Sequence, residues 1–138
     1  MYQKDYILRL IEEFGRFLRI ILRLKNEQQF EAASLQLNEA AEKLLQVNLD
    51  ELVKDPGNME QIILVRAFNP DQSDILADLL FLRAEILLDT GQKITATRLF
   101  EMAKHLLEQI QEKSKTYSLD RIEKIRNIEL FLKDLRIE

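Results

Sequence analysis

Cysteine is absent from the 138-residue chain, which excludes disulfides, thiolate metal sites and thiol nucleophiles and leaves the redox compartment open. Tryptophan is absent and histidine occurs once, at His105. Only three glycines and two prolines are present, a scarcity that predicts long helices joined by short turns. The glycines stand at 15, 57 and 91, too far apart to form a phosphate-cradling loop. There is no basic excess either: the formal net charge is −4, which weighs against a nucleic-acid binder. No apolar run is long enough to span a membrane. Glu12 and Glu13 interrupt the first apolar stretch, unlike a secretory signal. A cytoplasmic protein with no membrane partner is therefore expected. What is present, 46% hydrophobic and 32% charged residues, describes a globular chain expected to form one domain over 1–138.

Apolar residues at 7, 10, 11, 14, 17, 18, 21 and 24 follow the helical period and predict a helix over 4–25. Leu8, Ile20 and Leu22 widen its apolar stripe, so cover on more than one side is expected, and Asn26 is placed to end the helix in a left-handed cap. Phe30, Ala33, Leu37, Ala40, Ala41 and Leu44 predict a second helix over 29–46, antiparallel to the first because the connection is so short. An insert over 47–69 follows. Asn48 can cap a short helix, Asp55-Pro56-Gly57-Asn58 reads as a turn, and Met59 to Ala67 reads as a buried third element. Its Ile62-Ile63-Leu64-Val65 run fits helix or strand. Helix is favoured, because the chain offers no second strand to pair with it. Asn69, Pro70 and Gln72 form a helix start with a capping box, opening a helix that runs to Asp89 and stops at Gly91. A further helix over 93–113 and a last one from Ser118 or Leu119 complete the expectation.

One pattern occurs twice. Leu80, Ala84, Leu87, Gly91, Ala96, Phe100 and Ala103 are spaced 4, 3, 4, 5, 4 and 3 apart, and so are Phe17, Ile21, Leu24, Gln28, Ala33, Leu37 and Ala40. Small residues let paired helices approach, large ones fill the space beside them, and Gly91 accepts the positive φ of a tight turn. The block 77–110 is 34 residues long and resembles a tetratricopeptide repeat. The earlier copy departs from that family's pattern, with Ile21 at a small-residue place and Gln28 at the turn glycine. In the later copy Arg83 replaces a leucine, and the closing proline is missing. The copies lie 63 residues apart rather than in tandem. The opening Asp5-Tyr6-Ile7-Leu8-Arg9-Leu10-Ile11-Glu12 also resembles the start of an uncharacterised bacterial family of tetratricopeptide-like architecture. The resemblance implies an all-α fold of six or seven helices. It would comprise two antiparallel hairpins, 4–46 and 70–113, separated by the insert and closed by a capping helix over 118–136.

Few residues offer chemistry. His105 points away from the apolar face of its helix, between Glu101 and Glu108, and reads as a solvated side chain rather than a metal ligand. Neither His-Glu-x-x-His nor Glu-x-x-His occurs, and no serine sits in a Gly-x-Ser-x-Gly turn. Ser73, Thr95 and Ser118 read as helix-start residues. No catalytic residue, metal or cofactor is expected, and an enzyme is not. The first 26 residues hold six basic and three acidic side chains, and Arg9, Arg16, Arg19 and Arg23 share one stripe. Arg16, Arg19 and Arg23 are candidate contacts for an anion, though no aromatic residues interleave to stack nucleic-acid bases. The family resemblance implies a groove along the first helix of each hairpin, here Leu18, Leu22, Phe81, Glu85 and Leu88. Mostly apolar, that set suits an apolar occupant: the chain's own insert, a second copy in a homodimer, or a helix from a protein partner. The expected role is a non-catalytic interaction or scaffold module, the alternative an anion or nucleic-acid binder.

Overall fold

The computed structural model describes residues 2–114 and 118–137, and every regular element among them is α-helical. Seven helices follow in order: α1 Tyr2–Asn26, α2 Phe30–Leu45, α3 Leu49–Lys54, α4 Asn58–Val65, α5 Pro70–Asp89, α6 Lys93–Lys113 and α7 Leu119–Ile137. They gather in two compact units, Met1–Ala67 and Phe68–Glu138. Residues 47–67 of the segment expected as an insert thus belong to the first unit, and Phe68 and Asn69 to the second.

In the first unit, α1 turns Leu10, Phe14 and Ile21 against Ala33, Leu37, Ala40, Ala41 and Leu44 of α2, and all eight are buried. Ala33, Ala40 and Ala41 have no side chain beyond Cβ, so the two helices can close on each other while Ile21 and Leu37 fill the interior. α1 ends at Asn26, a turn over Glu27 and Gln28 follows, and the left-handed residue is Gln28, with φ 60°. Asn26 itself remains helical, so the cap expected there falls two residues later. Gln46 ends α2 in the left-handed region, and Arg66 Nη1 donates to the carbonyls of Leu45, at 3.1 Å, and Gln46. A cation is favoured on those carboxyl-terminal carbonyls by the helix dipole.

Asn48 caps α3 as expected, its side chain accepting from Glu51 N at 3.1 Å. α4 is helical, which settles the ambiguity of its apolar run, but it is not the buried element anticipated. Met59 is buried, Ile62 and Ile63 are half-buried, and Leu64 and Val65 are 81% and 77% exposed. The cause is geometric. Four consecutive apolar residues sweep most of a helix circumference, and only the places spaced i, i+3 and i+4 share one face.

In the second unit the capping box forms in full. Gln72 N donates to Asn69 Oδ1 at 2.8 Å, and Asn69 N donates to Gln72 Oε1 at 2.9 Å. α5 is apolar on nearly every side, with Ile75, Leu76, Leu79, Leu80, Leu82, Ile86 and Leu87 buried. It pairs with α6 through Ala84, Ala96, Phe100 and Ala103, all fully buried. Gly91 turns the chain at φ 83°. The turns after α1 and α5 carry the same backbone bonds 63 residues apart. Gln28 N donates to Lys25 O as Gly91 N does to Leu88 O, Gln29 N to Leu24 O as Gln92 N to Leu87 O, and Ala33 N to Gln29 O as Ala96 N to Gln92 O. Two helical hairpins of one construction therefore stand in the two units, although glycine marks only the second turn.

Ser118 starts α7, accepting from Arg121 N at 3.2 Å. The helix lies along α5 and α6. Its Phe131 ring stacks on Phe100 with centroids 4.9 Å apart and meets Phe81 edge-on at 5.7 Å, while Phe81 meets Phe100 edge-on at 5.5 Å. Edge-to-face and offset rings add about 0.5–1.5 kcal/mol per pair beyond their burial. No helix among the described residues is long and apolar enough to cross a membrane.

Candidate functional site

The five groove residues divide between the units. Leu18 and Leu22 lie on α1 in the first, half-buried and 40% exposed respectively. Phe81, Glu85 and Leu88 lie on α5 in the second, all half-buried. Phe81 already has an occupant from its own unit, the Phe131 ring of α7.

On α1, more apolar surface is exposed than the two groove residues suggest. Leu8 is 51% exposed and Ile11 47%, and they share an outward strip with Leu18 and Leu22. The groove expectation missed Leu8 and Ile11. Ile11 was read as part of the helical period that marks the core, and Leu8 only as widening the stripe, so neither was assigned to the groove. Leu64 and Val65 were missed because their run looked like core. Arg16, Arg19 and Arg23 are all exposed, as is Arg9. Arg9 also borders a recess of about 210 Å³ with Tyr6, Leu10, Glu13, Lys43, Leu44 and Gln46.

The strongest electrostatic feature of the second unit ties α7 down. Arg121 makes a two-pronged contact with Asp74, Nε to Oδ1 and Nη2 to Oδ2, each 3.0 Å, and its Nη1 donates to Gln111 Oε1 at 3.0 Å. One guanidinium thereby holds the start of α5, the end of α6 and the start of α7, which fixes α6 antiparallel to the other two. Three residues along, Lys124 Nζ lies 3.0 Å from Asp78 and 3.3 Å from Asp120. Hydrogen bonds to Asp74 raise the Arg121 pKa above its ordinary value. Burial works against the Lys124 ammonium, but the carboxylates of Asp78 and Asp120 outweigh it and raise its pKa. Asp78 is the more buried partner. Burial pushes its carboxyl upward, and Lys124 reverses that only in part. A raised pKa on a half-buried acid is a common mark of an active site. Here the two charges meet each other across a helix contact, and the pair latches α7 to α5.

His105 is exposed, and no group of three or more His, Cys, Asp or Glu side chains able to hold a metal occurs among the described residues. A recess of the second unit, about 620 Å³, is open and is lined by Lys104, Arg126, Glu129, Leu130, Leu132, Lys133 and Arg136. No protein-family model, no curated protein and no solved structure matches this chain.

Proposed function

We propose that this chain is a non-catalytic protein–protein interaction or scaffold module of the cytoplasm. It would be built from tetratricopeptide-like hairpins and related to the bacterial family that its opening segment resembles. One observation carries the reading: α1 leaves Leu8, Ile11 and Leu22 between 40% and 51% exposed. Each large aliphatic side chain gains about 1.5–3 kcal/mol when covered, so such a row favours association. The repeated hairpin geometry supports the tetratricopeptide-like part of the proposal, and the scarcity of nucleophiles and of imidazole in the sequence supports the non-catalytic part.

Site-specific photo-crosslinking in the native host tests it. A crosslinker at Ile11 or Leu22 should trap a discrete protein adduct, while one at Glu42, exposed on α2, should not. Absence of any adduct from Ile11 and Leu22 would remove the reading.

The exposure of Arg16, Arg19 and Arg23 keeps a second reading, binding of a polyanion along α1. Oligonucleotide binding through these three side chains should weaken steeply with salt and vanish when all three are glutamate. A chain that binds no oligonucleotide at low salt dismisses it.

A further inference from the structure

Leu8, Ile11, Gly15, Leu18 and Leu22 recur along α1 at steps of 3, 4, 3 and 4. That is the period by which one helix meets another in knobs-into-holes packing. At 3.6 residues per turn the strip is centred about 100° around the helix from the side formed by Leu10, Phe14 and Ile21. The latter side is buried within the first unit, whereas Leu8, Ile11 and Leu22 are exposed and Leu18 is half-buried. A Cβ placed on Gly15 would meet nothing within 4 Å, so the middle of the strip is an open notch. Lys4 and Lys25 occupy the next places of the same period at either end and limit the apolar strip to two heptads.

We propose that this strip joins two copies of the chain, α1 against α1 of the second copy in antiparallel register. The proposal rests on the interaction reading above and names its partner. Charge supplies the choice of occupant. One flank of the strip carries Asp5, Glu12, Arg19 and Asn26, and the other carries Ile7, Phe14 and Ile21, of which Phe14 and Ile21 are buried in the first unit's core. In an antiparallel pair, like flanks face each other. Setting Leu18 of one helix into the Gly15 notch of the other brings Glu12 of each copy beside Arg19 of its mate. These are two equivalent ion pairs, as a twofold interface requires. A parallel pair would instead set Arg19 against the apolar flank of the second copy. A helix of unrelated sequence would have to reproduce both the spacing and the alternating charges, and a second copy carries both. Arg9, Arg16 and Arg23 stay outside the strip and in water.

Sedimentation of the full chain, from micromolar to near-millimolar concentration, tests the proposal. The expected result is a dimer. Arg19→Glu, which sets glutamate against glutamate in both pairs, should weaken it about tenfold or more. Glu12→Arg combined with Arg19→Glu should restore it. Both positions are exposed, so unchanged circular dichroism is expected of each variant. A wild-type chain that keeps the mass of one copy at the highest concentration overturns the proposal, as does a dimer indifferent to Arg19→Glu or one that the double variant fails to restore. A single-copy mass together with a crosslinked adduct of a different protein at Ile11 removes self-association alone. A single-copy mass with no adduct removes the interaction reading as well.

Discussion

Gln28 and Gly91 hold equivalent places in two turns of the same construction, with φ 60° and 83°, yet only glycine takes that conformation without steric cost. A left-handed backbone costs an ordinary residue about 1–2 kcal/mol, part of which is returned because glycine is freer in the unfolded chain. Gln28→Gly should therefore raise stability by about 1 kcal/mol and Gly91→Ala should lower it by about as much, read from denaturant midpoints. A Cβ at Gly91 meets nothing within 4 Å, so no clash adds to the strain in φ. Opposite signs are the expected signature, and equal signs would show that the turns are not equivalent. Ala96, fully buried between α5 and α6, has no room to grow. Ala96→Leu should cost about 1–3 kcal/mol through overpacking, and an unchanged melting curve would contradict the close helix contact.

Among the elements, α5 was the most legible because its start is local chemistry: Asn69, Pro70 and Gln72 specify the cap whatever packs against the helix. Asn69→Ala should cost about 0.5–2 kcal/mol, measured by urea unfolding, with a loss near zero contradicting the capping box. α3 was legible on the same grounds, through Asn48. α4 was recognised as a helix, but the burial expected along its whole apolar run is not found, since Leu64 and Val65 are exposed. Composition reports that Ile62, Ile63, Leu64 and Val65 are apolar and leaves open which of them has a neighbour. The left-handed turn after α1 was displaced from Asn26 to Gln28 because the preference for asparagine at such a cap is weaker than the backbone register of the hairpin. α7 was placed from its apolar pattern, but its hold on α5 was not, since Asp74–Arg121 and Asp78–Lys124 join residues 47 and 46 positions apart.

For the whole molecule, the all-helical class followed from periodicity and from scarce glycine and proline, whereas the division into two units depends on which helices meet and has no local signature. The candidate groove was drawn by analogy between the two hairpins. That analogy located Leu18 and Leu22 on an exposed strip, and it could not foresee that Phe131 would meet Phe81. Stability against pH should carry the mark of the latch on α7. Because the folded pKa of Asp78 is raised, its contribution to stability is fully present below the ordinary carboxylate value of 3.8 and is lost as pH rises through the raised value. Asp78→Asn removes that dependence, so the variant should gain on the wild type as pH goes from acid to neutral, compared by denaturant midpoint. A constant difference would contradict the raised pKa. Lys124 works on the other limb. Its contribution is present below 10.5 and is lost as pH rises through its raised folded value.

The order in which a ribosome delivers these helices gives the α7 contacts a further meaning. α5 and α6 leave the ribosome first, with Asp78 still hydrated and the Phe81 and Phe100 rings lacking the ring that will stack beside them. Until Phe131 follows, the nascent second unit presents an aromatic face of the kind that chaperones bind and that neighbouring nascent chains stick to. α7, made after both, is thus the helix that ends this exposure. The time between the synthesis of Phe100 and that of Phe131 is an interval in which the second unit is open to misassembly.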